Sequence, residues 1–469
     1  MYKEFLETCA YTPEEIEKEL PRVKRAFDKA GLTEEDLKRG RERLIQDLDA
    51  GDLRGMRMIA GLFIKDFVDL VLSGEEHEIR LYLQLPSLGG QVLGAAQLVR
   101  PDIYVGYPSV LGFHVLGSIF NRLDPLLEKG ENWCLPPGVA HCGCNQFKLG
   151  ARLTDMVPPA SLNLSAGMYC DEAPKVDEVL RYHFHEPVFW FNRCQDENFD
   201  DPPMDERHLK YLSANVDRAR QTVSEVIGVE VTKDKVMEAI LGVEGCVKAL
   251  SRITELRAEA DPSPLRAASC QLGQFLVVST LSPSKYKQVE EALTVLAEEV
   301  QGRIDRGEGV VEKGAPRVML SYLTSLSNPG ISKAMEDAGL NICCSEGYGS
   351  AAEWERRAEI AKIDPCDIIA GVYLTSPLMV KASWRIETIV NGYRKGNLDG
   401  LIMLPHYSCR VFGNDFVMIR DGVKKELGNI PTLILETDLF DPRYYTVEQS
   451  RTRIESFAEM VKTAKVSVS

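Results

Sequence analysis

Short apolar runs alternate with helix-length segments in two parts of this chain, and that alternation leaves few folds open. "IRLYLQL" (79–85), "DIYVGY" (102–107), "ASLNLSA" (160–166) and "EPVFWF" (186–191) mark the first part. "RVMLSYL" (317–323), "LNICCSEG" (340–347), "DGLIMLP" (399–405) and "IPTLILETD" (430–438) mark the second. Runs of this length, bounded by turn-forming residues, read as buried strands. "VLGFHVLGSIF" (110–120) and "CDIIAGVYL" (366–374) add apolar segments, and "NPGISKAMEDAG" (328–339) reads as a helix closed by glycine. Strands that alternate with helices imply parallel sheets covered by helices.

Two helical stretches frame these parts. "TPEEIEKELPRVKRAFDKAG" and "TEEDLKRGRERLIQDLDAG" each open on a threonine with an acid three residues later and close on glycine. "MRMIAGLFIKDFVDLVLSG" is more apolar and is expected to pack these helices onto the rest. Between 206 and 305 apolar spacings of three and four dominate. The expected fold is therefore α/β, with two parallel-sheet units of Rossmann or flavodoxin type. The expected divisions are a helical N-terminal segment (1–75), a first α/β domain (76–205), a helical region (206–305) and a second α/β domain (306–469).

Charge excludes some functions. The 55 basic residues face 70 acidic ones, a net charge of −15, and no Lys/Arg-rich run suggests a nucleic-acid surface. No signal-type N-terminus or stretch of about 18 apolar residues appears, so a soluble, cytoplasmic protein without membrane contact is expected.

Twelve cysteines in such a chain point to metal or redox use mixed with buried thiols. The spacing of ferredoxins and the paired C-x-x-C of zinc ribbons are both absent, so any cluster must gather cysteines distant in sequence. Cys144, Cys170 and Cys409 share one context: each follows a loop or strand end and stands before a helical pattern. Backbone N–H groups and the helix dipole stabilise a thiolate there, which is the form that binds metal. The alternative is a small buried hydrophobe. That reading is applied to Cys9, Cys194, Cys246, Cys270, Cys343, Cys344 and Cys366.

The run "LDGLIMLPHYSCRVFGNDFVMIRDGVKKELGNIPTLILETDLFDPRYYTVEQSRTRIESFAEMV", with "CNQFKLG" and "MYCDEAPKVDEVLRYHF", resembles the iron–sulfur subunits of the 2-hydroxyacyl-CoA dehydratase and benzoyl-CoA reductase family, of D-component type. "ERHLKYLSANVDRARQTVSEVIGVEVTKDKVMEAI" is similar to that family's middle helical region, and the resemblance covers roughly residues 140 to 465. It implies that Cys144, Cys170 and Cys409 ligate a [4Fe–4S] cluster with one iron left open. It implies an acyl-CoA substrate dehydrated or reduced through a radical. It also implies a separate ATP-hydrolysing iron–sulfur activator and a homologous subunit in a homo- or heterodimer. Within the same resemblance stand a double-cubane [8Fe–9S] reductase of small molecules and a non-catalytic partner subunit. Residues 75 to 135 depart from the family's lead-in, and Cys134 and Cys142 are further thiols close to Cys144.

Three smaller features complete the reading. His406, three residues before Cys409, is the candidate catalytic proton donor. "ETDLFDPRY" offers Glu436, Asp438, Asp441 and Arg443 either to function or to a helix start, with Thr446 and Gln449 as its capping box. Gly347-x-Gly349-x-x-Ala352 is a partial dinucleotide fingerprint that a tight turn also explains. No Walker-type loop occurs, so ATP hydrolysis is assigned to the activator. "HFH" (183–185) reads as a helix cap.

Overall fold

A computed structural model of the chain describes residues 1–85, 88–136, 141–167, 170–192, 206–321, 325–346, 363–376 and 381–468. The Gly347–Ala352 fingerprint and Cys194 lie outside the described residues.

Four helices lead: α1 (Tyr2–Thr8), α2 (Pro13–Lys29), α3 (Glu34–Asp47) and α4 (Arg54–Glu76). The caps expected from the sequence form as reciprocal boxes, Thr12 with Glu15 and Thr33 with Asp36. The first sheet follows with β1 (Arg80–Leu83), α5 (Gly90–Val99), β2 (Tyr104–Gly106), α6 (Pro108–Gly112), a π-helical turn (Phe113–Ile119), α7 (Asp124–Trp133), α8 (Gly143–Leu153), β3 (Leu162–Ala166), α9 (Glu172–Phe184) and β4 (Val188–Phe191). Five helices intervene: α10 (Glu206–Ile227), α11 (Lys233–Gly242), α12 (Glu244–Glu259), α13 (Ala267–Ser279) and α14 (Tyr286–Asp305). The second sheet contains β5 (Arg317–Ser321), α15 (Gly330–Asp337), β6 (Asn341–Ser345), α16 (Pro365–Leu374), α17 (Ala382–Lys395), β7 (Gly400–Met403), α18 (Arg410–Gly413), α19 (Phe416–Leu427), β8 (Thr432–Ile434) and α20 (Val447–Val468).

Both sheets are parallel throughout, in the orders β2-β1-β3-β4 and β6-β5-β7-β8. The two orders are the same pattern, and each reverses direction at its centre, between β1 and β3 and between β5 and β7. In open α/β sheets, ligands bind beyond the carboxyl ends of the strands at such a reversal.

Strand residues two apart share a face. Val318, Leu320, Ile402 and Leu404 therefore pack under α15 and α20, while Met319, Leu401 and Met403 pack under α17 and α19. The N-terminal helices do not form a body of their own. Phe5, Phe27, Phe63 and Phe67 share one core with Phe113 and Phe147 of the first unit, Leu293 of α14, and Leu439 and Phe440 of the second. "CDIIAGVYL" becomes helix α16, because Asp364 accepts from the Cys366 N–H at 2.9 Å and Pro365 occupies the first helical position. Its Cys366, Ile369 and Leu374 pack with α10, α11 and the first sheet, although α16 lies between strands of the second.

Candidate functional site

The reversal points of the two sheets carry the three predicted cysteines. Cys170 follows β3, and Cys409 follows β7. The Cys144 thiol lies 3.8 Å from the carbonyl of Leu85, just past β1. Cys142 joins them: it is within electrostatic range of Cys144, Cys170 and Cys409, and Cys170 is within range of both Cys144 and Cys409. The structure thus brings four thiols together from three loops.

Their helix positions differ from the sequence reading in one respect. Cys142, with extended backbone, holds the N-cap of α8, and Cys144 sits within the helix's first turn rather than before it. Backbone N–H groups of first turns do aim at thiols: Glu172 and Ala173 at Cys170, Val411 and Phe412 at Cys409, Asn145 at Cys142. Burial nevertheless outweighs them. It pushes the Cys144 and Cys409 thiols up to about 12 and raises those of Cys142 and Cys170 as well.

Helix α8 is held against α9 by a buried polar stripe. Asn145, Lys148 and Arg152 follow the three–four spacing of one helix face. Asn145 donates to Glu172 at 3.1 Å, the Lys148 ammonium meets Asp177 at 3.3 Å, and the Arg152 guanidinium meets Glu186 at 2.5 Å. Ser165 of β3 donates to the other oxygen of Asp177. All of these side chains are buried. Sequence reasoning took "CNQFKLGAR" only as a motif and missed this stripe. The available signal was the spacing of polar residues on a helix next to a candidate ligand.

The second unit closes the site from the other side. Arg410, next to Cys409, reaches across to Asp171 and, at 3.3 Å, to the buried Glu172. His141 stands 3.5 Å from the same glutamate. The Asp438 carboxylate accepts from the backbone N–H groups of Ser408 (3.1 Å), Phe440 (2.9 Å) and Asp441 (2.8 Å), which ties the loop after β8 to the loop holding Cys409. Asp441 turns inward to Arg443, and Arg443 pairs with Glu131 of α7. Thr446 and Gln449 form the expected capping pair. Asp438, Asp441 and Arg443 thus build the loop.

His406 is fully buried, with Nδ1 3.2 Å from the Thr437 hydroxyl, and its carbonyl accepts from the Cys409 N–H at 3.2 Å. His185 caps α9 in the left-handed conformation, as "HFH" predicted. Cys9, Cys246, Cys270, Cys343, Cys344 and Cys366 are buried away from this cluster of thiols, and Cys134 is exposed. A bulge in β6 sets Cys343 and Cys344 with their sulfurs 4.0 Å apart, inside the core of the second sheet.

Among the described residues, no three His, Cys, Asp or Glu side chains converge tightly enough to hold a single metal ion. Thiols around an iron–sulfur cluster stand wider apart, because iron and sulfide lie between them. Four soft donors, Cys144 buried and Cys142, Cys170 and Cys409 half-buried, fit that group in donor chemistry.

Residues 109–461, most of the chain, match the family described as 2-hydroxyglutaryl-CoA dehydratase, D-component. The chain belongs to this family. Among its relatives, the alpha subunit of (R)-2-hydroxyglutaryl-CoA dehydratase from Acidaminococcus fermentans is 22% identical over 265 residues, covering 55% of this chain and 52% of that relative. A subunit of benzoyl-CoA reductase from Thauera aromatica is 29% identical over 98 residues, 21% of this chain and 22% of that relative. The matched segments therefore span about half the length of the first relative and about a fifth of the second. All four clustered thiols lie within the residues that match the D-component family.

Proposed function

We propose that this chain is the cluster-bearing subunit of an enzyme acting on an acyl-CoA thioester with low-potential single electrons. Cys144, Cys170 and Cys409 ligate a [4Fe–4S] cluster in this reading. A separate ATP-hydrolysing iron–sulfur activator supplies the electrons, and a homologous subunit completes the enzyme in the cytoplasm. The observation that carries the proposal is the gathering of one buried and three half-buried thiols at the reversal points of two parallel sheets, in a chain of this family. Both relatives are named for reactions of CoA thioesters and as subunits, which supports the substrate class and the pairing.

When bound, such a cluster supplies single-electron transfer and a Lewis-acidic iron. The chain's own residues bind, orient and exclude water. First-turn N–H groups point at the sulfurs of Cys170 and Cys409 and would favour their thiolate form on ligation, Asp438 fixes the loop that presents Cys409, and Arg410 with Glu172 joins the two halves of the site. His406, oriented by Thr437, is the proposed proton carrier.

Anaerobic purification with iron and sulfide counting tests this. About four iron per chain, in a brown protein that bleaches in air, is the expected result. About eight would favour a double-cubane reductase of small molecules. A colourless, iron-free protein would leave only a non-catalytic partner subunit. Turnover of a thioester panel with a cognate activator, ATP and a strong reductant then identifies the acyl group.

A further inference from the structure

Lys148 is a cation where the fold should not tolerate one. It lies one turn beyond Cys144 on α8, and residues four apart on a helix share a face. Its side chain is 2% exposed, and its partner Asp177 is fully buried. A buried ammonium is costly even when paired, and an apolar pair of similar size would pack there at less cost. The Lys148 charge acts on both Cys144 and Cys170. Lys148 shares the helix and its face with Cys144, whereas Asp177 belongs to the neighbouring helix α9. Ser165 holds Asp177 from the far side.

We propose that Lys148 is a positioning residue that sets the reduction potential of the cluster held by Cys144 and Cys170, with Asp177 as its counterweight. This rests on the cluster assignment made above. Each electron adds negative charge at the site, and a fixed ammonium beside two thiolates stabilises the reduced form more than the oxidised one. Removing the Lys148 charge should lower the potential, and removing the Asp177 charge should raise it. A purely structural pair would not shift the potential in opposite directions.

The test is an anaerobic redox titration of the full-length holoprotein, followed by electron paramagnetic resonance, with iron and sulfide counted in every sample. Lys148→Gln is expected to change the one-electron equilibrium at least tenfold toward the oxidised form, a shift of about 59 mV downward. Asp177→Asn should move it upward, and Lys148→Arg should restore it to near the wild-type value. Should Lys148→Gln fail to keep its cluster, Asp177→Asn still decides the matter by the upward shift. Lys148→Gln or Asp177→Asn with full iron and an unchanged potential overturns this inference and leaves the cluster assignment standing. An iron-free wild type would remove the assignment and the inference together.

Discussion

Cys142 and Cys409 both stand near other thiols and both cap helices with extended backbone, but their surroundings differ. Cys409 opens a short helix on a loop fixed by Asp438, whereas Cys142 precedes Gly143, where an added Cβ would press on Phe440 and Asp441. Cys409→Ala should lose most of the iron. Cys246→Ala should keep it, because that thiol sits in the core and donates to the Tyr286 carbonyl at 3.3 Å. Equal iron in the two variants, measured after anaerobic purification, would remove Cys409 from the ligand set. The sequence reading leaves one iron open. On that reading Cys142→Ser retains the cluster, and substrate analogues alter the spectrum of the reduced form. Loss of iron as complete as in Cys144→Ser would make Cys142 the fourth ligand and close the site.

Elements, not single residues, fix where Cys144 stands. Helix α8 meets α7 at backbone contact: a Cβ at Gly150 would lie 1.9 Å from the Leu126 carbonyl oxygen, and one at Gly130 would lie 2.4 Å from that of Gln146. Neither neighbour is a flexible side chain that could turn aside. Gly150→Ala should therefore push α8 off α7, at a cost of about 1–3 kcal/mol. Because α8 carries Cys144 and the polar stripe toward α9, iron content should fall with stability. Thermal unfolding and iron analysis of the same sample check this, and full stability would show that α7 and α8 can separate freely. The stripe itself was legible only as a list of polar residues. Whether Asn145, Lys148 and Arg152 face water or acids depends on where α9 lies.

At the scale of the whole molecule, the site exists only because loops from two sheets of the same order meet. Arg410 is one side chain that spans the two units, from the loop after β7 to the start of α9. Its ion pairs are partly exposed and should add no more than about 1 kcal/mol to stability. Arg410→Met is thus expected to unfold near the wild-type temperature yet release iron faster to a chelator under anaerobic conditions. Identical release rates would show that the halves are held together elsewhere. The chain alone should not hydrolyse ATP, since its sequence has no phosphate-binding loop of Walker type; hydrolysis by the pure chain matching product formation would overturn the need for an activator. Among the described residues, no helix is long and apolar enough to cross a membrane.

Local order was readable from the chain. The caps at Thr12, Thr33 and Thr446, the left-handed stop at His185 and the strands at 80–83, 162–166 and 400–403 depend on residues within a few positions of one another, so their signals lie side by side in sequence. The strand–helix alternation carried the parallel sheets for the same reason. Three of the four thiols were singled out by motif. What only the tertiary structure decided involves residues far apart. It placed Cys142 within range of Cys409, set Glu172 against Arg410, left Lys148 buried one turn from Cys144, and packed α16 on α10 and α11 in the core of the first sheet. Such pairings follow from how whole helices and sheets fill space together. No short window of sequence contains both partners.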